Sequence, residues 1–296
     1  MALSEDGDVY TWGAGGSITR ACGLGHGNEV PQPEPALLEW FPDEGISLAG
    51  ADTGERHGTA VSTAGQVFTW GDGQLGRLGN GIANQPLPEA VEVLEDLSVH
   101  SVHAGKAFCV ALTQGGSIWG WGKNDQSQLG LGPRMVMDMN TMEEYPVQVE
   151  SLRGRVLQVA AGDMHCVALR DDGEVMYWGT GGFLEPSAKA AFSGDDPVFQ
   201  VVAGEGVSAA ITQSGQLWTW GRNLMTGTLG VEQRTGSTQP VLVQALADEG
   251  VSVAQASFGA KCAAAVAGSP PAPRSIQEAD AGGASQEGGF LAGLFA

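Results

Sequence analysis

The stretch Gly116-Ser-Ile-Trp-Gly-Trp121-Gly122 decides the fold, because the chain writes it five times. The other copies are Gly7-Asp-Val-Tyr-Thr-Trp12-Gly13, Gly65-Gln-Val-Phe-Thr-Trp70-Gly71, Gly173-Glu-Val-Met-Tyr-Trp178-Gly179 and Gly215-Gln-Leu-Trp-Thr-Trp220-Gly221. Each carries an apolar residue four places before the closing glycine: Val9, Val67, Ile118, Val175 or Leu217. A large side chain (Tyr10, Phe68, Trp119, Met176 or Trp218) stands two places before the tryptophan. This alternation has period two, the period of a strand rather than of a helix.

Outward from this motif the same order recurs. A second glycine lies 17 residues before the closing one, at Gly54, Gly105, Gly162 and Gly204, with Gly259 as a fifth copy. A short apolar segment precedes it, as in Val156-Leu-Gln-Val-Ala-Ala, and another follows, as in Cys109-Val-Ala-Leu and Cys166-Val-Ala-Leu. A Pro-led alternating segment completes the unit: Pro88-Glu-Ala-Val-Glu-Val, Pro146-Val-Gln-Val-Glu and Pro240-Val-Leu-Val-Gln. One unit is therefore four short strands. The glycine spacings of 51, 57, 42 and 55 residues are those of β-propeller blades. A four-stranded sheet buries both faces only between neighbours, so the tryptophans read as blade-packing residues.

The first unit lacks its opening half and the last lacks its closing half. The expected fold is thus all-β: a propeller of about five four-stranded blades, one of them a composite closed by strands from both termini. A partial seven-bladed ring is the alternative. The fourth unit is short, with Gly204 only 26 positions after Trp178, and has lost an outer strand or a long loop. The propeller spans residues 1–267. Residues 268–296 read as a disordered Pro/Gly/Ser-rich tail with an apolar end, Phe290-Leu-Ala-Gly-Leu-Phe295.

Composition narrows function. Against 14 Lys and Arg stand 34 Asp and Glu, a formal charge of −20. A nucleic-acid binder needs a basic face, and an anionic membrane repels this chain, so neither is expected as a partner. The N-terminus shows no secretory pattern, and no apolar run approaches the about 20 residues of a membrane span. The four cysteines, Cys22, Cys109, Cys166 and Cys262, are scattered, without zinc spacing. An intracellular place, cytoplasmic or nuclear, is expected.

The unit Gly-x-x-His, strand, Gly-x-Val-aromatic-x-Trp-Gly, then Gln-Leu-Gly-x-Gly resembles the regulator of chromosome condensation repeat. Gly162-Asp-Met-His165 with Gly173 to Gly179 carries it, as does Trp121-Gly-Lys-Asn124 with Gln128-Leu-Gly-Leu-Gly132. Gly73-Gln-Leu-Gly-Arg-Leu-Gly79 and Cys22-Gly-Leu-Gly-His-Gly27 echo the loop. The resemblance covers about residues 1–267 and implies a propeller, usually seven-bladed.

For function the resemblance implies two roles. The family's founding type is a guanine-nucleotide exchange factor for a nuclear small GTPase, which it meets with acidic and His residues in the turn after the landmark glycine. The equivalent turns here hold Glu55, Arg56 and His57, then Lys106, then Asp163 and His165, then Glu205. A plainer reading of His57 and His165 is a polar residue opening a strand and bonding to a nearby turn. The founding type docks on chromatin through basic surfaces, which this charge opposes. A second relative, the plant UV-B photoreceptor, senses light through Gly-Trp-Arg-His-Thr repeats. Here Gly54-Glu-Arg-His-Gly-Thr59 puts Glu55 in place of that tryptophan, which argues against photoreception.

Catalytic constellations are not legible. Asp171-Asp172 and Asp195-Asp196 read as turn residues. His100 and His103 lie three apart on a strand and point to opposite faces. No catalytic, cofactor or metal residues are assigned, and no cofactor is expected. The leading expectation is a non-catalytic protein-binding scaffold whose partner, basic or a small GTPase, is met by blade loops. Met135, Met137 and Met139 in the loop after Trp121 join the partner-binding set, since methionine adapts to partner surfaces. Exchange-factor activity on a small GTPase is the rival.

Overall fold

The computed structural model describes residues 1–14, 23–132, 142–180, 183–189, 192, 195–222, 227–232, 235–259 and 262–270. Met135, Met137, Met139 and the tail from residue 271 lie outside them. The described strands form six antiparallel sheets, each meandering in chain order. The first holds β1 (Ala2–Leu3), β2 (Val9–Gly13) and β3 (Gln32–Leu37). The second holds β4 (Leu48–Thr53), β5 (His57–Ser62), β6 (Val67–Gly71) and β7 (Gln85–Ala90). The third holds β8 (Val99–Ala104), β9 (Phe108–Thr113), β10 (Ile118–Lys123) and β11 (Met142–Gln148). The fourth holds β12 (Val156–Ala161), β13 (His165–Arg170), β14 (Val175–Gly179) and β15 (Phe183–Ala188). The fifth holds β16 (Val198–Ala203), β17 (Val207–Thr212), β18 (Leu217–Gly221) and β19 (Ser237–Leu242), and the sixth β20 (Val253–Phe258) and β21 (Ala263–Ala267). These are the blades of a β-propeller, and the Trp-Gly segment is the third strand of each four-stranded sheet and the middle strand of the first.

The core lies between sheets. Phe108, Val110, Leu112 and Ile118 of the third sheet pack on Val156, Val159, Cys166, Met176 and Trp178 of the fourth. Trp70, Trp121, Trp178 and Trp220 are all buried, while Trp12, in the first sheet, is half-buried. Three of these indoles donate to a loop carbonyl of the preceding sheet: Trp70 to Gly23 at 2.8 Å, Trp121 to Arg77 at 3.1 Å and Trp178 to Gln128 at 3.0 Å. In the first three sheets the long loop after the Trp-Gly strand thus seals the boundary with the next blade.

The landmark glycine has a packing reason. The side chain three residues on folds back over it. A Cβ on Gly54 would clash with the His57 ring, on Gly105 with the Phe108 ring and on Gly162 with the His165 ring. Proline has one too. Pro35, Pro88, Pro146, Pro186 and Pro240 share one register position on the outer strands, at the edge of each sheet. Proline is tolerated there because an edge strand spares one row of N–H groups.

Two expectations are refined. The terminal sheets are not halves of one composite blade: among the described residues no strand of the first pairs with the sixth. Register gives the reason. Leu3 pairs with Val9 as Leu112 pairs with Ile118, and Val266 pairs with Gln255 as Leu112 pairs with Ser101. Leu3 and Val266 therefore hold the same place in the repeat. Both sheets own a second strand and cannot merge. The fourth unit, in turn, has kept its outer strand, β15, and lost the long loop before it.

Candidate protein-interaction face

The turns between first and second strands lie on one face and are stitched together. Glu55 N–H donates to the Lys106 carbonyl at 3.2 Å, and Lys106 N–H to the Asp163 carbonyl at 3.2 Å. Gly206 N–H donates to Asp163 Oδ1 at 2.9 Å. Four blades thus present Glu55, Lys106, Asp163 and Glu205 in one hydrogen-bonded line. Glu55, Lys106 and Glu205 are exposed, and Arg56 and Asp163 half-buried.

Behind Glu55 lies a charge network that sequence reading missed. Buried Asp72 accepts from Gln74 N–H at 2.9 Å. Its carboxylate faces Arg77 Nη1 at 3.7 Å and Arg56 Nη1 at 3.8 Å. Arg77 is itself buried, and its Nε holds the Gln74 carbonyl at 2.7 Å. The residues sit in the Gln-Leu-Gly loop, whose pattern reads as a turn and hides the ion pair.

His57 and His165 lie beneath this face, not on it. Each is 1% exposed and spans a blade boundary. His57 Nε2 lies 3.1 Å from Cys109 Sγ, and His165 Nε2 lies 2.8 Å from Ser208 Oγ. Burial pushes His57 down to about 3, helped by the Arg77 guanidinium. Burial pushes His165 down to about 4, against the pull of Asp163. Both are neutral at pH 7. Burial also raises the Cys109 and Cys166 thiols well above their ordinary value, which makes them poor nucleophiles.

A Ser-His-Asp alignment occurs on the first strands. His103 Nε2 lies 3.3 Å from Ser101 Oγ, and His103 Nδ1 lies 3.9 Å from Asp52 Oδ2. The second distance is no hydrogen bond. Asp52 spends its carboxylate on Ala104 N–H (3.0 Å) and Thr53 N–H (2.8 Å) instead. The imidazole is not oriented by it, and the geometry is that of a blade staple rather than a nucleophile with its base. Among the described residues no cluster of three or more metal-ligating side chains occurs.

The regulator of chromosome condensation (RCC1) repeat model matches residues 64–112, 115–169 and 214–266, more than half of the chain. The chain belongs to the RCC1 repeat family. RCC1 relatives are diverse. The human E3 ubiquitin-protein ligase HERC2 is 37% identical over 181 residues, which is 60% of this chain and 4% of that protein. The mitochondrial RCC1 domain-containing protein RUG3 of Arabidopsis thaliana is 34% identical over 272 residues, 84% of this chain and 57% of that one. This RCC1 chain thus spans little over half of RUG3 and a small fraction of HERC2. Among solved structures, Prp20p of Saccharomyces cerevisiae, described with its binding properties to Gsp1p and histones, superposes with a TM-score of 0.77 at 21% identity. The match covers 94% of this chain and 67% of that one. It is a match of fold.

Proposed function

We propose that this RCC1 chain is a non-catalytic protein-interaction platform that meets a protein partner through the stitched turn face. The observation that carries the reading is the inter-blade line Glu55–Lys106–Asp163–Gly206, which ties together the backbone of four turns that bear charged side chains on one surface. A preorganised surface loses little entropy when it is bound. The negative charge of the chain favours a basic partner and speeds its encounter at low salt. The place of action we favour is inside the cell, although the compartment differs among relatives, as the name of RUG3 indicates.

Guanine-nucleotide exchange on a small GTPase is the second reading. Prp20p, which shares the fold, binds Gsp1p. One experiment separates the two. Partners are captured at low and high salt on the wild-type chain and on a Glu55→Ala/Lys106→Ala/Glu205→Ala variant, and release of a fluorescent GDP analogue from any captured GTPase is followed by stopped flow. The platform reading expects a partner that the triple variant loses and no faster nucleotide release. Release accelerated more than about tenfold replaces it with exchange activity.

A further inference from the structure

We infer that the loop 73–84 together with β11 forms a second docking surface, which takes an extended protein segment carrying apolar side chains flanked by Lys or Arg.

The argument begins with positions that the repeat fills differently. The residue before the outer-strand proline is Glu34, Glu185 or Gln239 in three sheets, but Leu87 and Tyr145 in the second and third. Leu87 is 41% and Tyr145 54% exposed, so neither serves the core. Leu87 lies against Gly27 in the loop of the first blade, and Tyr145 against the loop of the second. Its Gly81 N–H donates to the Glu144 carbonyl at 3.1 Å, and Gly81 sits beside the Tyr145 hydroxyl. Ile82, next along, is 57% exposed.

Leu75 adds an independent sign. It holds φ +64°, one of two non-glycine residues with positive φ among those described. A leucine in this left-handed region costs about 1 kcal/mol. Its side chain nevertheless stays more than a third exposed. In the third blade's loop the corresponding residue is Gln126. A strained backbone that displays a leucine, beside an isoleucine and a tyrosine that are also displayed, fits a surface kept for a partner.

Charge selects that partner. Residues 73–90 and 142–148 present Glu89 and Glu144, while Glu143 turns its Oε1 inward, and their one cation, Arg77, is buried against Asp72. An apolar strip with an acidic border matches a segment that alternates leucine-like and basic side chains.

The inference does not rest on the turn face, and its failure leaves that reading where it stands. The test uses two labelled peptides of equal charge, one alternating Leu and Lys and one alternating Ser and Lys, in fluorescence anisotropy titrations. The Leu-Lys peptide is expected to bind wild type at least about tenfold more tightly than the Ser-Lys peptide. An Ile82→Ser/Tyr145→Ser variant, unchanged in charge, is expected to lose that difference. Leu75→Gly separates folding from binding: it relieves the left-handed strain, so it should raise the urea midpoint while weakening the Leu-Lys complex. Equal binding of the two peptides, no binding of either, or full retention of the difference in the double serine variant overturns the inference.

Discussion

Ser208 Oγ and His165 Nε2 lie 2.8 Å apart across the boundary between the fourth and fifth blades, and His57 meets Cys109 in the same way two blades earlier. These buried imidazoles make the fold acid-sensitive. Their folded values, about 4 for His165 and about 3 for His57, lie below the ordinary 6.5. Between pH 6.5 and those values the unfolded chain binds more protons, so stability falls as pH falls through that window. His103, pushed by burial to about 4, acts in the same direction. Asp52 acts in the opposite one: burial raises its carboxyl to about 6, so below that pH the folded state takes up its proton first. His57 and His165 are each expected to cost about 2 kcal/mol between pH 7.5 and pH 5. Urea melts at the two values should therefore show a much lower midpoint at pH 5, and His165→Gln should shrink the gap. An unchanged gap in His165→Gln would mean that this histidine is not buried neutral.

The indole rule of the blade boundaries has an exception that can be measured. Trp178 donates to the Gln128 carbonyl, whereas Trp220 Nε1, equally buried, has no partner among the described residues because the fourth blade lacks the long loop. Tryptophan-to-phenylalanine changes remove the same ring volume at both sites, so their difference isolates the N–H. Trp178→Phe is expected to destabilise by about 1 kcal/mol more than Trp220→Phe, since only the former breaks a bond and strands a carbonyl. Equal losses in chemical denaturation would assign the tryptophans to volume alone.

The landmark glycines can be tested against hairpin glycines. A Cβ on Gly105 would clash with the ring of the fully buried Phe108. Gly173, at φ +84°, has open space around its missing side chain. Gly173→Ala is therefore expected to cost about 1 kcal/mol through backbone strain. Gly105→Ala should cost about 3 kcal/mol or more through overpacking. Paired denaturation curves settle the order, and the reverse order would contradict the packing account.

Much of this was legible in the residues. The repeated Gly-x-Val-aromatic-x-Trp-Gly segment gave the strand period, the blade count of four complete units and the family. Three things were not legible, each for a physical reason. The relation of the terminal sheets depends on which residue pairs with which, and register is invisible until Leu3 and Val266 are seen to claim one place. The burial of His57 and His165 depends on a glycine-permitted fold-back of the side chain, which a charged or polar letter does not announce. The exposed Leu75, Ile82 and Tyr145 read like any other apolar residue, because periodicity cannot tell a displayed side chain from a buried one.

Lys189 gives the last test, of how the fourth blade closed after losing its loop. In the other blades the residue that bonds back to the start of the third strand is aliphatic: Leu38 to Val9, Val91 to Val67, Val149 to Ile118 and Val243 to Leu217. In the fourth, Lys189 N–H makes this bond to Val175 at 2.8 Å, and its side chain is buried. The ammonium passes over the rings of Tyr177 and Phe183, 4.6 and 4.7 Å from their centroids, and donates to the Thr238 carbonyl of the next blade at 2.8 Å. Burial lowers its pKa, which marks the site as one that would accept a neutral chain. The lysine stem fills the volume, and the cation is held by two rings and one carbonyl. Replacing a buried ionic contact by an apolar side chain of similar length is often neutral or better. Lys189→Met is thus expected to change stability by less than about 1 kcal/mol. Lys189→Ala, which empties the space, should cost about 2–4 kcal/mol. Thermal melts of the two variants decide it: a methionine variant as damaged as the alanine one would show that the Thr238 bond, rather than the stem, closes the blade.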